Sequence, residues 1–223
     1  MQIGIISDIH GNLDALDVIL HAFKEKKVDK IICLGDMIGY FHQSIEVLDR
    51  LIDLDVSAIC GNHEAYILGY LSYPHERSRI YNIDYVQQLI SPQALQWLTS
   101  LPKSLTISIQ GKKYSFFHGS PWDPLLEYVY PDYPDFKKFL MIDSDLFFLG
   151  HTHYSLYKKI ENKIIINPGS VGLPRNGDKR AHAAILNTQS GIEFIQEDYN
   201  IPAFLESARN HEVHKTAIQR LIS

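Results

Sequence analysis

Three times in its first 64 residues this 223-residue chain runs an apolar stretch straight into a short polar segment. Gln2–Ser7 leads into Asp8-Ile9-His10, Lys30–Leu34 into Gly35-Asp36, and Val56–Cys60 into Gly61-Asn62-His63-Glu64. Short apolar runs bounded by turn residues read as buried strands. Two amphipathic stretches separate them. Asn12 stands where it could cap a helix whose Leu13, Leu16, Ile19, Leu20 and Phe23 share one face, and Ile45, Leu48, Leu51 and Ile52 share a face between Ser44 and Leu54. Strand, helix, strand, helix, strand implies parallel strands joined by right-handed crossovers, so the three polar segments should emerge along one edge of one sheet. The order of elements thereby turns sequence distance into spatial convergence.

The rest of the chain is read from the same periodicities. Glu64 to about Ser100 has helical spacing, with Ser91-Pro92 as a helix start and Trp97 and Leu98 on an apolar side; a helical insert at about 64–100 is expected near the site. From Leu105 strands recur at 105–110, 113–117, 146–149, 155–160, 163–166, 183–186 and 191–196, with Gln110-Gly111 and Glu161-Asn162 at hairpin turns. They are expected to form a second, more antiparallel sheet facing the first. Residues 121–139 mix Trp122, Tyr128, Tyr130, Tyr133 and Phe136 with prolines and acids, a pattern of a folded surface loop that could be a lid, a homo-oligomer contact or both. The tail from Pro202 reads as one amphipathic helix packed on the outside. No composition shift divides the chain, so residues 1–223 are taken as a single domain.

Two further segments, His118-Gly119 and Gly150-His151-Thr152-His153, end apolar runs in the same residue types. The set Asp8, His10, Asp36, Asn62, His118, His151 and His153 supplies two Asp, one Asn and four His. That mixture of oxygen and imidazole donors suits Mn²⁺, Fe, Co²⁺, Ni²⁺ or Zn²⁺ better than Mg²⁺ or Ca²⁺, and manganese is the preferred expectation. A phosphate ester resists attack because its oxygens repel an incoming hydroxide. Two cations about 4 Å apart neutralise those oxygens and lower the pKa of a water between them. Such a pair needs one ligand that touches both, and Asp36, a carboxylate after glycine at a strand end, is the choice. Each residue alone has a plainer reading: Asp8 or Asp36 as a cap or turn former, His118 as a hydrogen-bonded core histidine. Seven such positions at strand termini are not all caps. His63 is read as a proton donor to the leaving oxygen, oriented by Glu64, with a loop-fixing role as its alternative. Asn12, Arg175 and Tyr40 are candidates for substrate contact; equally, Asn12 is a helix cap, Arg175 a surface ion-pair partner and Tyr40 packing.

Composition excludes several classes. The longest apolar runs, such as Ile31–Leu34, are far too short to span a bilayer, and the first residues read as a strand rather than a leader, which favours the cytoplasm and no membrane partner. A net charge of −5 gives no general reason to expect nucleic acid. Cys33 and Cys60 lack metal-type spacing and read as buried reduced thiols.

The five segments resemble the calcineurin-like metallophosphoesterase superfamily, whose pattern runs D-x-H, G-D, G-N-H-[DE], H-[GA] and G-H-x-H in that order, and look like its small bacterial and archaeal phosphodiesterase-type branch. With Asn167-Pro168-Gly169-Ser170-Val171-Gly172-Leu173-Pro174-Arg175 the likeness covers most of the chain. It implies an α/β fold, a four-layer α/β/β/α sandwich of two mixed sheets flanked by helices. It also implies two divalent cations, one on Asp8, His10, Asp36 and His153, the other on Asp36, Asn62, His118 and His151, with His63 as general acid. In that family a hydroxide bridging the metals attacks phosphorus in line, without a phosphoenzyme. The expected function is a dinuclear-metal phosphoesterase, foremost a phosphodiesterase on a small or nucleotide-like substrate. The alternatives are a phosphomonoesterase or protein phosphatase and a dinucleoside polyphosphate hydrolase. A non-catalytic scaffold of this fold would lack a ligand or the acid, and every position is filled here.

Overall fold

The computed structural model of the protein describes residues 1–73 and 75–223. Strands β1 (Gln2–Ile6), β2 (Lys30–Cys33) and β3 (Ser57–Ala58) pair in parallel, as the crossover argument requires, and are joined by helices α1 (Leu13–Glu25) and α2 (Ser44–Asp53). Asn12 caps α1, its side-chain oxygen accepting the Ala15 N–H at 3.0 Å. Ile6, Cys33 and Ala58 on one sheet face meet Leu16, Ile19 and Phe23 of α1 and Val47, Leu48 and Leu51 of α2. Ile3, Ile5 and Ile32, pointing the other way, meet the second sheet. The expected helical insert is present among the described residues as α3 (Asn62–Ile67), α4 (Ser78–Tyr81), α5 (Ile83–Leu89) and α6 (Pro92–Ser100), with a 3-10 turn at His75–Arg77. Ser91 caps α6 and Leu98 is buried against α2's side of the core.

The second sheet runs β4 (Ser104–Ile109), β5 (Lys112–Phe117), β6 (Leu146–Phe148), β8 (Lys163–Asn167) and β7 (Leu156–Ile160) in spatial order. Both expected hairpins form, and Gln110, Gly111 and Glu161 take the positive φ that tight turns demand. Two expectations are corrected. β9 (Ala181–Asn187) and β10 (Gly191–Glu197) join the first sheet, giving the order β10-β9-β1-β2-β3. Moreover, the second sheet is no more antiparallel than the first, since each has two parallel and two antiparallel pairings. Alternation marks a segment as a strand without naming its partner; β9 is buried on both faces, with Ala183 and Ile185 toward α1 and Ala184 and Leu186 between the sheets, which only an inner position satisfies.

Between the sheets, Ile3, Ile5, Phe116, Phe148 and Ile166 are at most 1% exposed, each contributing about 1.5–3 kcal/mol by burial. This core fixes the register on which the loops depend, because a one-residue slip would turn every side chain to the other face. The outer face of the second sheet is covered by the 121–142 segment, whose Val129, Phe136 and Phe139 pack on Phe147 and Ile165 and whose helix is the 3-10 turn Phe136–Met141. The tail is two helices rather than one, α7 (Ile201–Asn210) and α8 (Lys215–Ile222), because Glu212 turns to positive φ and His214 starts a new cap. No helix among the described residues is long and apolar enough to cross a membrane.

Candidate metal centre and active site

All five polar segments meet at one edge of the two sheets. The first sheet delivers Asp8, His10, Asp36 and Asn62, and the second delivers His118, His151 and His153. Getting these side chains inward takes an unusual backbone. Asp8, His10, Asp36, Tyr40, His151 and His153 all have φ between 52° and 65° and make up half of the twelve described non-glycine residues with positive φ, at a cost of order 1–3 kcal/mol each. Hydrogen bonds from loop to loop hold them there: Asp8 N–H donates to Gly35 O at 3.1 Å, His10 N–H to Asp36 O at 3.0 Å, and Gly150 N–H to His118 O at 2.8 Å. The Gly35 and Gly61 backbones abut, so a Cβ on Gly35, at φ +93°, would strike Gly61 N, and one on Gly61 would strike the Asp36 carboxylate. Both must be glycine for Asp36 and Asn62 to come together.

The donor atoms form two groups that share one residue. On one side Asp8 Oδ1 lies 3.3 Å from His153 Nε2, which lies 3.2 Å from His10 Nε2. On the other, His118 Nε2 lies 3.0 Å from Asn62 Oδ1 and 3.1 Å from His151 Nδ1. Asp36 Oδ2 stands between them, 3.7 Å from His10 Nε2 and 3.4 Å from His118 Nε2. Three imidazoles are fixed from behind by backbone carbonyls, His10 Nδ1 to Ile38 O, His118 Nδ1 to Leu34 O and His153 Nδ1 to Leu173 O, so each turns Nε2 to the site. Ser7 Oγ and His151 N–H both donate to Asp8 Oδ2, leaving Asp8 Oδ1 buried without a hydrogen-bond partner.

This donor set fits divalent cations. Burial drives His10 and His153 well below the ordinary histidine value and His151 to about 3, so the imidazoles sit in the neutral, ligating form. Burial also raises Asp8 to about 7, with the Asp36 charge adding to it. Burial opposes the charge of Asp36 too, yet His118, His63 and His10 hold its carboxyl well below the usual range. His118 alone is raised, to about 9, because Asp36, Asp8 and Glu64 outweigh its burial. Buried carboxylates demand compensating positive charge, and a cation touching Asp8 and Asp36 provides it with a ready set of lone pairs.

The neighbouring candidates separate. His63 faces the centre, its Nε2 4.0 Å from Asp36 Oδ2, and its ring packs among His10, Tyr40 and Tyr81. Glu64 does not orient it. Successive helical residues diverge, and Glu64 instead folds back to accept the Asp36, Met37 and Gly61 N–H groups at 2.8–2.9 Å. It therefore clamps the Asp36 loop to the start of α3. Asn12 does not line the cavity: its amide donates to Gly172 O and Tyr199 OH while its oxygen caps α1, so its polar atoms are committed to the fold. Tyr40 and Arg175 do line the site, a cavity of about 90 Å³. Sequence reading missed Tyr66, Arg77, Tyr81 and Tyr128, which line it as well. Tyr128, from the aromatic loop, stacks on His151 with ring centres 3.8 Å apart. It also missed Arg220 on α8, whose guanidinium donates to Tyr40 OH at 2.7 Å.

Comparison with known proteins agrees with this geometry. Residues 1–191 match the calcineurin-like phosphoesterase superfamily domain. An uncharacterized protein of Methanocaldococcus jannaschii is 33% identical over 239 aligned positions covering 99% of this chain and 97% of its own. A phosphodiesterase of the same organism is 23% identical over 79% of this chain and 91% of its own. The crystal structure of a metallophosphoesterase from Sphaerobacter thermophilus superposes with a TM-score of 0.86 at 30% identity, covering 99% of this chain and 98% of that one. A two-sheet fold, a buried Asp/His/Asn cluster at its edge and these likenesses lead to one conclusion: the chain belongs to the calcineurin-like phosphoesterase superfamily and is a metal-dependent phosphoester hydrolase.

Proposed function

We propose that this protein is a cytoplasmic phosphodiesterase acting on a small or nucleotide-like phosphate ester at two divalent cations, manganese being the preferred metal. The observation that carries the dinuclear reading is the position of Asp36 Oδ2 between the His10 and His118 donor groups. Asp8, His10, Asp36 and His153 would hold one cation and Asp36, Asn62, His118 and His151 the other. When bound, they supply charge for the phosphate oxygens and acidify water. His63, whose Nε2 lies 4.0 Å from Asp36 Oδ2, would give a proton to the departing oxygen. Burial lowers its pKa to about 4, so donating a proton near neutral pH requires the negative charge of the substrate phosphate to raise it. Of the tyrosines lining the cavity, the exposed Tyr128 and half-buried Tyr66 are the ones an organic substituent would meet, which supports a diester. The 23% identical phosphodiesterase points the same way. Unbonded, buried Cys33 and Cys60 support a reducing compartment. A phosphomonoesterase is the second reading, favoured by the added cationic charge of Arg175 at the mouth.

The test is hydrolysis of bis(p-nitrophenyl) phosphate beside p-nitrophenyl phosphate by metal-stripped protein given Mn²⁺, Ni²⁺, Zn²⁺ or Mg²⁺ separately. Manganese-dependent turnover with the diester ahead is expected; monoester preference would establish the second reading. His63→Ala should keep its metal and lose roughly a hundredfold in kcat or more, most with poor leaving groups. An equal loss on good and poor leaving groups would remove His63 from proton transfer.

A further inference from the structure

Arg175 and Arg220 come together at the rim of the cavity, both reaching the same phenol. Both guanidiniums donate to the same phenol oxygen, Tyr40 OH, at 3.4 and 2.7 Å. The lysine and arginine ion pairs among the described residues are Lys26–Glu193, Arg50–Asp17, Lys113–Asp143 and Arg180–Asp178, so neither arginine has a carboxylate partner. Arg175 Nε is buried without a hydrogen-bond partner. A second cavity of about 300 Å³, lined by Arg175, Arg220 and Ser223, opens beside the metal cavity, and Arg175 lines both. Two half-buried guanidiniums held side by side repel each other unless an anion lies between them. Their planar forks match a phosphate and can grip it through paired N–H groups.

We propose that Arg175 and Arg220 form a subsite for a second phosphate of the substrate, so that the ester cleaved here carries a phosphate beyond the scissile one. The inference rests on the phosphoesterase reading and narrows its substrate class. Arg175 spans the two cavities and sets the scissile group in one and the second phosphate in the other. Tyr40, accepting from both arginines, keeps them converged before the anion arrives and is a positioning residue for the subsite.

The test compares methylenediphosphonate with methylphosphonate, which do not hydrolyse, by calorimetric titration of the manganese-loaded protein. The wild type should bind the diphosphonate more tightly, and Arg220→Gln should lower that preference by roughly tenfold to a hundredfold, the range for a hydrogen bond to a charged group. Arg220→Lys, which keeps the charge without the fork, should restore part of it. A wild type with no preference, or a preference that Arg220→Gln leaves intact, would overturn the subsite. Should Arg220→Gln fold poorly by thermal melting, Arg220→Lys against wild type decides on the same ratio. Absence of any ester hydrolysis by the manganese-loaded wild type would sink the phosphoesterase reading, while the binding ratio still decides this proposal.

Discussion

The floor and the rim of the site are built by different rules. The floor residues, Asp8, His10, Asp36, Asn62, His118, His151 and His153, sit at or just beyond strand ends or at a helix start, are at most 5% exposed, and are held by the backbone of neighbouring loops. The rim residues, Tyr66, Arg77, Tyr81, Tyr128, Arg175 and Arg220, come from the insert, the aromatic loop, the loop between β8 and β9 and the last helix, and are held largely by rings and phenol oxygens. A floor of that kind leaves little room for drift, because hydrogen bonds from loop to loop fix its backbone. A rim of that kind can change its residues without disturbing the strands. The difference teaches that the sheets fix the donor cluster and that the segments added to them shape its mouth.

The harshest attempt to break this division is Asp36→Asn, which removes the shared carboxylate while keeping its shape. Turnover should fall roughly a thousandfold or more, and mass spectrometry of the purified variant should find cation missing; full metal content would remove Asp36 from its shared position. Glu64→Gln sharpens the boundary of the floor, because Glu64 touches no donor atom and acts through the Asp36 and Gly61 amides. Manganese affinity should drop about tenfold to a hundredfold, with turnover recovering at saturating metal. Unchanged affinity would make Glu64 a helix cap and nothing more.

The smallest expected effect concerns the anchorage of the rim. His42 is buried under α7, stacked on His211 at 4.3 Å, with Nε2 2.9 Å from Ser207 Oγ. Burial and then His211 lower its pKa to about 4 from an ordinary 6.5, against a weaker opposite pull from Asp14. Because the folded value lies below the unfolded one, the unfolded segment takes up the proton first. The docking of α7 is therefore strongest above about pH 6.5, weakens as pH falls toward 4, and changes no further below it. Hydrogen exchange in residues 201–210 should be faster at pH 5 than at pH 7 relative to a His42→Gln variant. An identical pH response in the variant would place the acid sensitivity elsewhere.

The floor was legible in the sequence because each of its residues follows an apolar run at a strand end, so recognising the strands located the cluster. Glu64 was misread from its neighbour: adjacency in sequence suggested contact with His63, and helical geometry sends the two side chains apart. Arg220 was hidden because its direction depends on the break at His211–His214, where Glu212 turns to positive φ, and on a phenol 180 residues away. Tyr128 was visible as an aromatic loop residue, but nothing local says that it will lie on His151. β9 was seen as a strand and assigned to the wrong sheet, since periodicity carries no record of which edge is free.

The donor atoms come from both sheets, and that has a consequence for the life of the molecule as well as its chemistry. A cation held by Asp8 and His153, or by Asn62 and His118, would be a rivet between two layers that otherwise meet at that edge through apolar side chains and a few hydrogen bonds, His118 to Leu34 O and His151 N–H to Asp8 among them. Whatever binds the native arrangement and not the unfolded chain adds its binding free energy to folding. Starvation for metal would thus shorten the protein's survival along with its activity, and abundance in the cell would follow the supply of the ion.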